Sequence, residues 1–138
     1  MNLALADAAL STRYGLLQTV VDAQSGRGQL IFNGKPVFVT STAAAAYRLV
    51  PAPAQGSNDF AVMEEQLPDA SCAYRHTLIR IGPERQTTVT PPFGACMRLS
   101  GTRPAPQGVE VITQGSDQRE HVYFWRGTGP VRESVPTR

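Results

Sequence analysis

Residues 28–40 read GQLIFNGKPVFVT. Two apolar runs, Leu30-Ile31-Phe32 and Val37-Phe38-Val39, flank Asn33-Gly34. That dipeptide suits a two-residue type I′ turn because both central positions need positive φ. The stretch predicts a β-hairpin with Asn33-Gly34 at its tip. Outward from it the pattern continues: eleven prolines and twelve glycines in 138 residues cut the chain into short pieces rich in β-branched and aromatic residues, as many short strands require. Residues 60–66, 74–81, 86–90, 95–99, 108–113 and 120–126 read as strands, and 14–22 suits a strand or a short helix. Residues 43–46 are too few for a stable helix and lead into a strand at 47–50. Residues 51–58 (PAPAQGSN) read as loop, Ser100-Gly101 as turn, and 114–119 (QGSDQR) as a polar hairpin loop. No internal repeat is evident.

Short connections favour antiparallel pairing, and no helical stretch is long enough for a βαβ unit. The expected fold is all-β: a single-domain antiparallel sandwich or open barrel with one disulfide. Residues 1–13 form an N-terminal segment, 14–126 the β-domain, and 127–138 a patternless C-terminal tail, frayed or lying along the surface.

Cys72 and Cys96 are the only cysteines. They bracket residues 73–95, read as a strand, a turn and a second short strand, and adjacent strands bring two Cα atoms to about 4.4–6.8 Å, the span of a disulfide. The other possibility is two separate buried thiols. A disulfide implies an oxidising compartment, here periplasm or secretion. No signal peptide is recognisable: residues 3–10 are small and apolar but lack a positive leader and sufficient length. The expectation is that the signal is absent from this chain.

Thirteen basic and eleven acidic residues give a net charge of +2, with the basic residues scattered. Nucleic-acid binding calls for a clustered basic stripe with interleaved aromatics, so no nucleic-acid partner is expected. No apolar run approaches the about 18 residues of a spanning helix.

Chemical signatures are sparse. His76 and His121 lack a His or Cys at metal-ligand spacing, and no metal or other cofactor is expected. No Gly-x-Ser-x-Gly occurs, and Cys96 as a thiol nucleophile competes with the disulfide. Gly26-x-Gly28 followed by Asn33-Gly34-Lys35 lacks the ending and the strand-to-helix context of a phosphate loop. Glu64 and Glu65, adjacent on a strand, point to opposite faces and cannot form a facing acid–base pair. Glu110 and Glu120 are assigned to solvent.

The strand EHVYFWR (120–126) alternates Val122 and Phe124 with His121, Tyr123 and Trp125. If the first pair is core, the second set exposes two large aromatics, a composition found at binding hot spots; alternatively both faces are covered. Tyr123 and Trp125, with Arg75 or Arg98 from the cysteine region, are the candidate protein-binding residues.

Asp59-Phe60-Ala61-Val62-Met63, then Cys72-Ala73-Tyr74-Arg75, then Phe93-Gly94-Ala95-Cys96 resemble small exported proteins of Gram-negative bacteria, over about a third of the chain. Those proteins show an Asp-led apolar strand, a Cys followed closely by Tyr-Arg, and a Phe-Gly-x-Cys element. The chain departs from them at Pro68-Asp69-Ala70-Ser71, where glycines are expected, and at Met97-Arg98, where a polar, acidic pair is. The resemblance implies export and the disulfide, and carries no reaction.

Three classes of function follow. The leading one is an exported binding protein, in one version an inhibitor or immunity protein that blocks an envelope-targeting enzyme or toxin. A small bridged β-scaffold with projecting loops suits it. The second is a structural component of an envelope assembly, and the third an enzyme with a loop site.

Overall fold

The computed structural model describes residues 6–134. Every regular element among them is a strand: β1 (Ala6–Thr12), β2 (Gly15–Val21), β3 (Arg27–Phe32), β4 (Lys35–Ala43), β5 (Ala46–Gln55), β6 (Asn58–Gln66), β7 (Tyr74–Ile81), β8 (Thr87–Val89), β9 (Arg98–Ala105), β10 (Gly108–Gln114), β11 (Glu120–Trp125) and β12 (Arg132–Ser134). They form three four-stranded antiparallel sheets, each a meander of four consecutive strands: β1–β4, β5–β8 and β9–β12. The all-β class holds. The predicted hairpin joins β3 to β4, with Asn33 at φ 50° and Gly34 at φ 82°.

The sheets stack face to face, and each neighbouring pair is a sandwich. Leu17, Leu30 and Phe32 of the first sheet pack with Ala61, Met63 and Ile79 of the second. On its other face the second sheet packs Phe60, Val62 and Leu78 against Val109, Val111 and Trp125 of the third. The middle sheet is thus covered on both sides. Phe60 through Glu65 are all buried, which explains why Phe60–Met63 reads as a continuous apolar run instead of an alternating one.

The three sheets also repeat one plan, although their residues do not. Matching the first hairpin turn of each meander aligns Leu17 with Phe60 and Glu110, and Thr19 with Val62 and Ile112. In the first two sheets these residues face the next sheet along. Backbones of neighbouring sheets come closest at their first strands, β1 against β5 and β5 against β9. The arrangement is a fan of blades, as in a propeller.

Several expectations change. Residues 51–55 belong to β5 and are not loop. Pro51 lies opposite Ala61, and the ladder is irregular between Ala52 and Gln55. A strand at the edge of its sheet tolerates residues without an N–H. Residues 95–97 form a turn, with Gly94 and Cys96 at positive φ, and the strand begins at Arg98. Ser100 is the extra residue where Gly101 and Leu99 face the consecutive Ile112 and Thr113.

β-structure reaches beyond 14–126 at both ends. β1 lies within 1–13, and β12 pairs with β11 within the stretch read as a patternless tail; residues 1–5 and 135–138 lie outside the described residues.

The faces of β11 are reversed relative to the expectation of an exposed aromatic face. Tyr123 and Trp125 are 8% and 1% exposed, while Val122 and Phe124 are half-buried on the outer face. Alternation fixes which residues share a face but not which face is core. The larger aromatic pair goes inward, where Trp125 meets Phe60 edge-on at 5.8 Å and donates its indole N–H to the Gly129 carbonyl at 3.0 Å.

Candidate functional site

Burial of β6 on both faces forces partners on its two glutamates. Glu65 faces the first sheet and accepts from Arg75 Nε at 2.6 Å. Glu64 faces the third sheet. Its Oε2 accepts from His76 Nε2 at 3.0 Å and from the Leu99 amide at 2.6 Å, and its Oε1 is 3.1 Å from Arg48 Nη2. This one carboxylate therefore joins β5, β6, β7 and β9.

Burial raises the Glu64 carboxyl, but the His76 and Leu99 hydrogen bonds and the His76 and Arg48 charges outweigh it, so the group lies below the usual carboxylate range. The His76 ring is fully buried, and its Nδ1 donates to the Gly94 carbonyl at 3.1 Å. Both ring nitrogens are engaged, by the Gly94 carbonyl and the Glu64 carboxylate. Glu64 and His76, opposite one another on β6 and β7, form with the Leu99 amide a clamp between the second and third sheets, and neither ring nitrogen is open to a substrate.

The disulfide braces this clamp. Cys72 and Cys96 are bonded, with Cα atoms 4.1 Å apart. The segment they hold extends β7 pairing through His76 and Phe93, and the Cys96 amide donates to the Tyr74 carbonyl at 2.8 Å. Gly94 then turns with φ 61°, and a Cβ there would lie 2.9 Å from His76 Nδ1. Only glycine allows the carbonyl to approach the imidazole so closely.

Above the clamp lies a cleft of about 270 Å³ lined by Arg48, Glu64, Gln66, Tyr74 and Arg98. A second cleft of about 320 Å³ adjoins it, sharing Arg48 and Arg98 and adding Ser100 and Gln114. Arg48 is half-exposed and already shares Glu64. Arg98 is exposed, and no hydrogen bond or ion pair involves its guanidinium among the described residues. With Glu64 engaged by Arg48 and His76, the mouth has an uncompensated positive charge beside hydroxyl and amide groups. That combination suits an anionic group, above all a carboxylate, which guanidinium binds in bidentate fashion.

Of the sequence candidates, Arg98 lies in this cleft. Arg75 does not: it is on the opposite face of the middle sheet with Glu65. Tyr123 and Trp125 sit in the core between the second and third sheets. His121 bonds Glu133 near the surface through Nδ1 at 2.8 Å. Arg48, Glu64, Gln66 and Tyr74 were not singled out as site residues. The available signal was two glutamates inside an otherwise apolar strand. Among the described residues no group of His, Cys, Asp or Glu is placed to hold a metal ion, and no helix is long and apolar enough to cross a membrane. Comparison with protein families, curated proteins and solved structures finds no match for this chain.

Proposed function

We propose that this chain is an exported binding protein that seats an acidic side chain of a partner protein between Arg48 and Arg98, acting as an inhibitor or immunity protein toward an envelope-targeting enzyme or toxin. The observation that carries the reading is the pair of arginines at the mouth of a cleft whose floor is fixed by the Glu64–His76 clamp. A preorganised floor lowers the entropy cost of binding. Arg98 offers its guanidinium without first breaking an internal ion pair. The disulfide supports an oxidising compartment, as does the resemblance of the cysteine segments to exported proteins.

A photo-crosslinking residue at Ser100 of the full, oxidised chain, exposed to periplasmic extract, tests this. The reading expects one partner that binds the purified chain stoichiometrically, is inhibited by it, is lost on Arg98→Glu, and is not cross-linked, though still bound, when the crosslinker is moved to Gln24. Stoichiometric binding unchanged by Arg98→Glu would remove the cleft from the account. Absence of any such partner would remove the binding function itself.

A further inference from the structure

Among the described residues, stacking of the sheets leaves two faces uncovered, and they are the two halves of a contact the chain already makes twice. The outer face of the first sheet occupies the place by which the second sheet receives the first, and the third receives the second. It carries Leu16, Gln18 and Val20 on β2, Gln29 and Ile31 on β3, and Val39 on β4. These six residues are uncharged, with Arg27 at the start of β3 sharing their face, and Leu16 and Val39, at 40% and 50%, are the exposed large hydrophobics of the described residues. The outer face of the third sheet presents half-buried Ile112, Val122 and Phe124, with the Glu110 charge matched by Arg103 across the strand pair.

From this we infer that a second copy of the chain covers both faces. The third sheet of each copy stacks on the first sheet of the other, by the operation that relates consecutive sheets within one chain. A head-to-tail contact must either close into a ring or run on as a filament. The fan converges on β1, β5 and β9, so added sheets curve round an axis. Two copies of three sheets give six, within the about 4–8 blades of closed propellers, whereas three copies give nine. Closure as a two-fold dimer follows. Ile112, the counterpart of Thr19, meets Val20 of the second copy, the counterpart of Met63, just as Thr19 meets Met63 within the chain.

Light scattering on the oxidised full chain, coupled to size exclusion, gives the first test. The expected mass is about 30 kDa, twice 14.9 kDa. Val20→Glu is expected to raise the dimer dissociation constant more than tenfold while leaving the circular dichroism spectrum unchanged, since the side chain lies on the outer face. A photo-crosslinking residue at position 112 fixes the geometry: cross-links to the β2 peptide of the other copy are expected. A monomer at tens of micromolar, an open polymer, or cross-links joining the third sheet to itself would each overturn the proposal. Dimerisation does not depend on the acidic partner, so either reading can fail alone.

Discussion

Replacing Glu64 by Gln keeps the shape of the side chain and removes the charge on which the clamp depends. A glutamine carbonyl in the place of Oε2 still accepts from both His76 and Leu99, now as neutral bonds, and its amide faces the Arg48 guanidinium, donor against donor. Each of the two bonds to that oxygen falls from charge-assisted, about 1.5–3 kcal/mol, to neutral, about 0.5–1.5, a loss of about 1 kcal/mol apiece. Arg48, whose side chain is 52% exposed, adds at most about 1 kcal/mol. A loss near 3 kcal/mol at neutral pH is expected, and with a urea slope of about 1.5 kcal/mol per molar the midpoint falls by about 2 M.

The pH dependence separates this cause from lost packing. The Glu64 carboxyl is lowered from 4.5 in the folded chain. At a pH between the folded and unfolded values, the unfolded chain binds more protons, so wild-type stability decreases on acidification. Its contribution is complete above the unfolded value and is lost as pH falls through the folded one. Glu64→Gln lacks that contribution, so the gap between the two proteins narrows below about pH 4.5. Urea melts from neutral pH to about pH 3 read both effects. A gap under about 1 kcal/mol at neutral pH, or one unchanged by acid, would refute the clamp.

Trp125→Ala is expected to cost about 3–5 kcal/mol by opening a cavity between the second and third sheets, whereas Arg98→Glu stays within about 0.5 kcal/mol; thermal melts of the two variants check the assignment of one to core and the other to surface. Reduction of Cys72–Cys96 removes a cross-link over 24 residues and should lower stability by about 3.5 kcal/mol on the chain-entropy account, measured by urea unfolding with and without reductant. Burial and the adjacent Glu133 push the Tyr123 phenol up from 10.0 to about 12. The unfolded chain then ionises first, and stability declines by up to about 2.7 kcal/mol as pH rises through that window; Tyr123→Phe should abolish that part of the decline in alkaline urea titrations.

Local signals carried much of the fold. Asn33-Gly34 specified its hairpin, the strands bracketed by Cys72 and Cys96 suited a bond without excluding separate thiols, and adjacent glutamates on β6 take opposite faces as strand alternation requires. What failed was information that only the stack supplies. Nothing local says that 51–55 lies at a sheet edge, where prolines are tolerated. The period of β11 does not reveal which of its two aromatic-bearing faces meets a neighbour. Arg48 and Arg98 come together through contacts between sheets that are distant in sequence, and equivalent positions such as Leu17, Phe60 and Glu110 share a place in the plan without sharing chemistry. The site was legible only where its constraint was local, at the bonded cysteines and Gly94.

The Arg48–Arg98 cleft is tested most directly by observing arginine side-chain Nε–H resonances while a short poly-glutamate peptide is added to the oxidised chain, with a poly-lysine peptide as control. Saturable shifts at Arg48 and Arg98 and at the Ser100 and Gln114 amides, absent with poly-lysine and abolished by Arg98→Glu, are the expected result. Shifts spread equally over surface arginines such as Arg126 and Arg132, or none at the cleft, would contradict it.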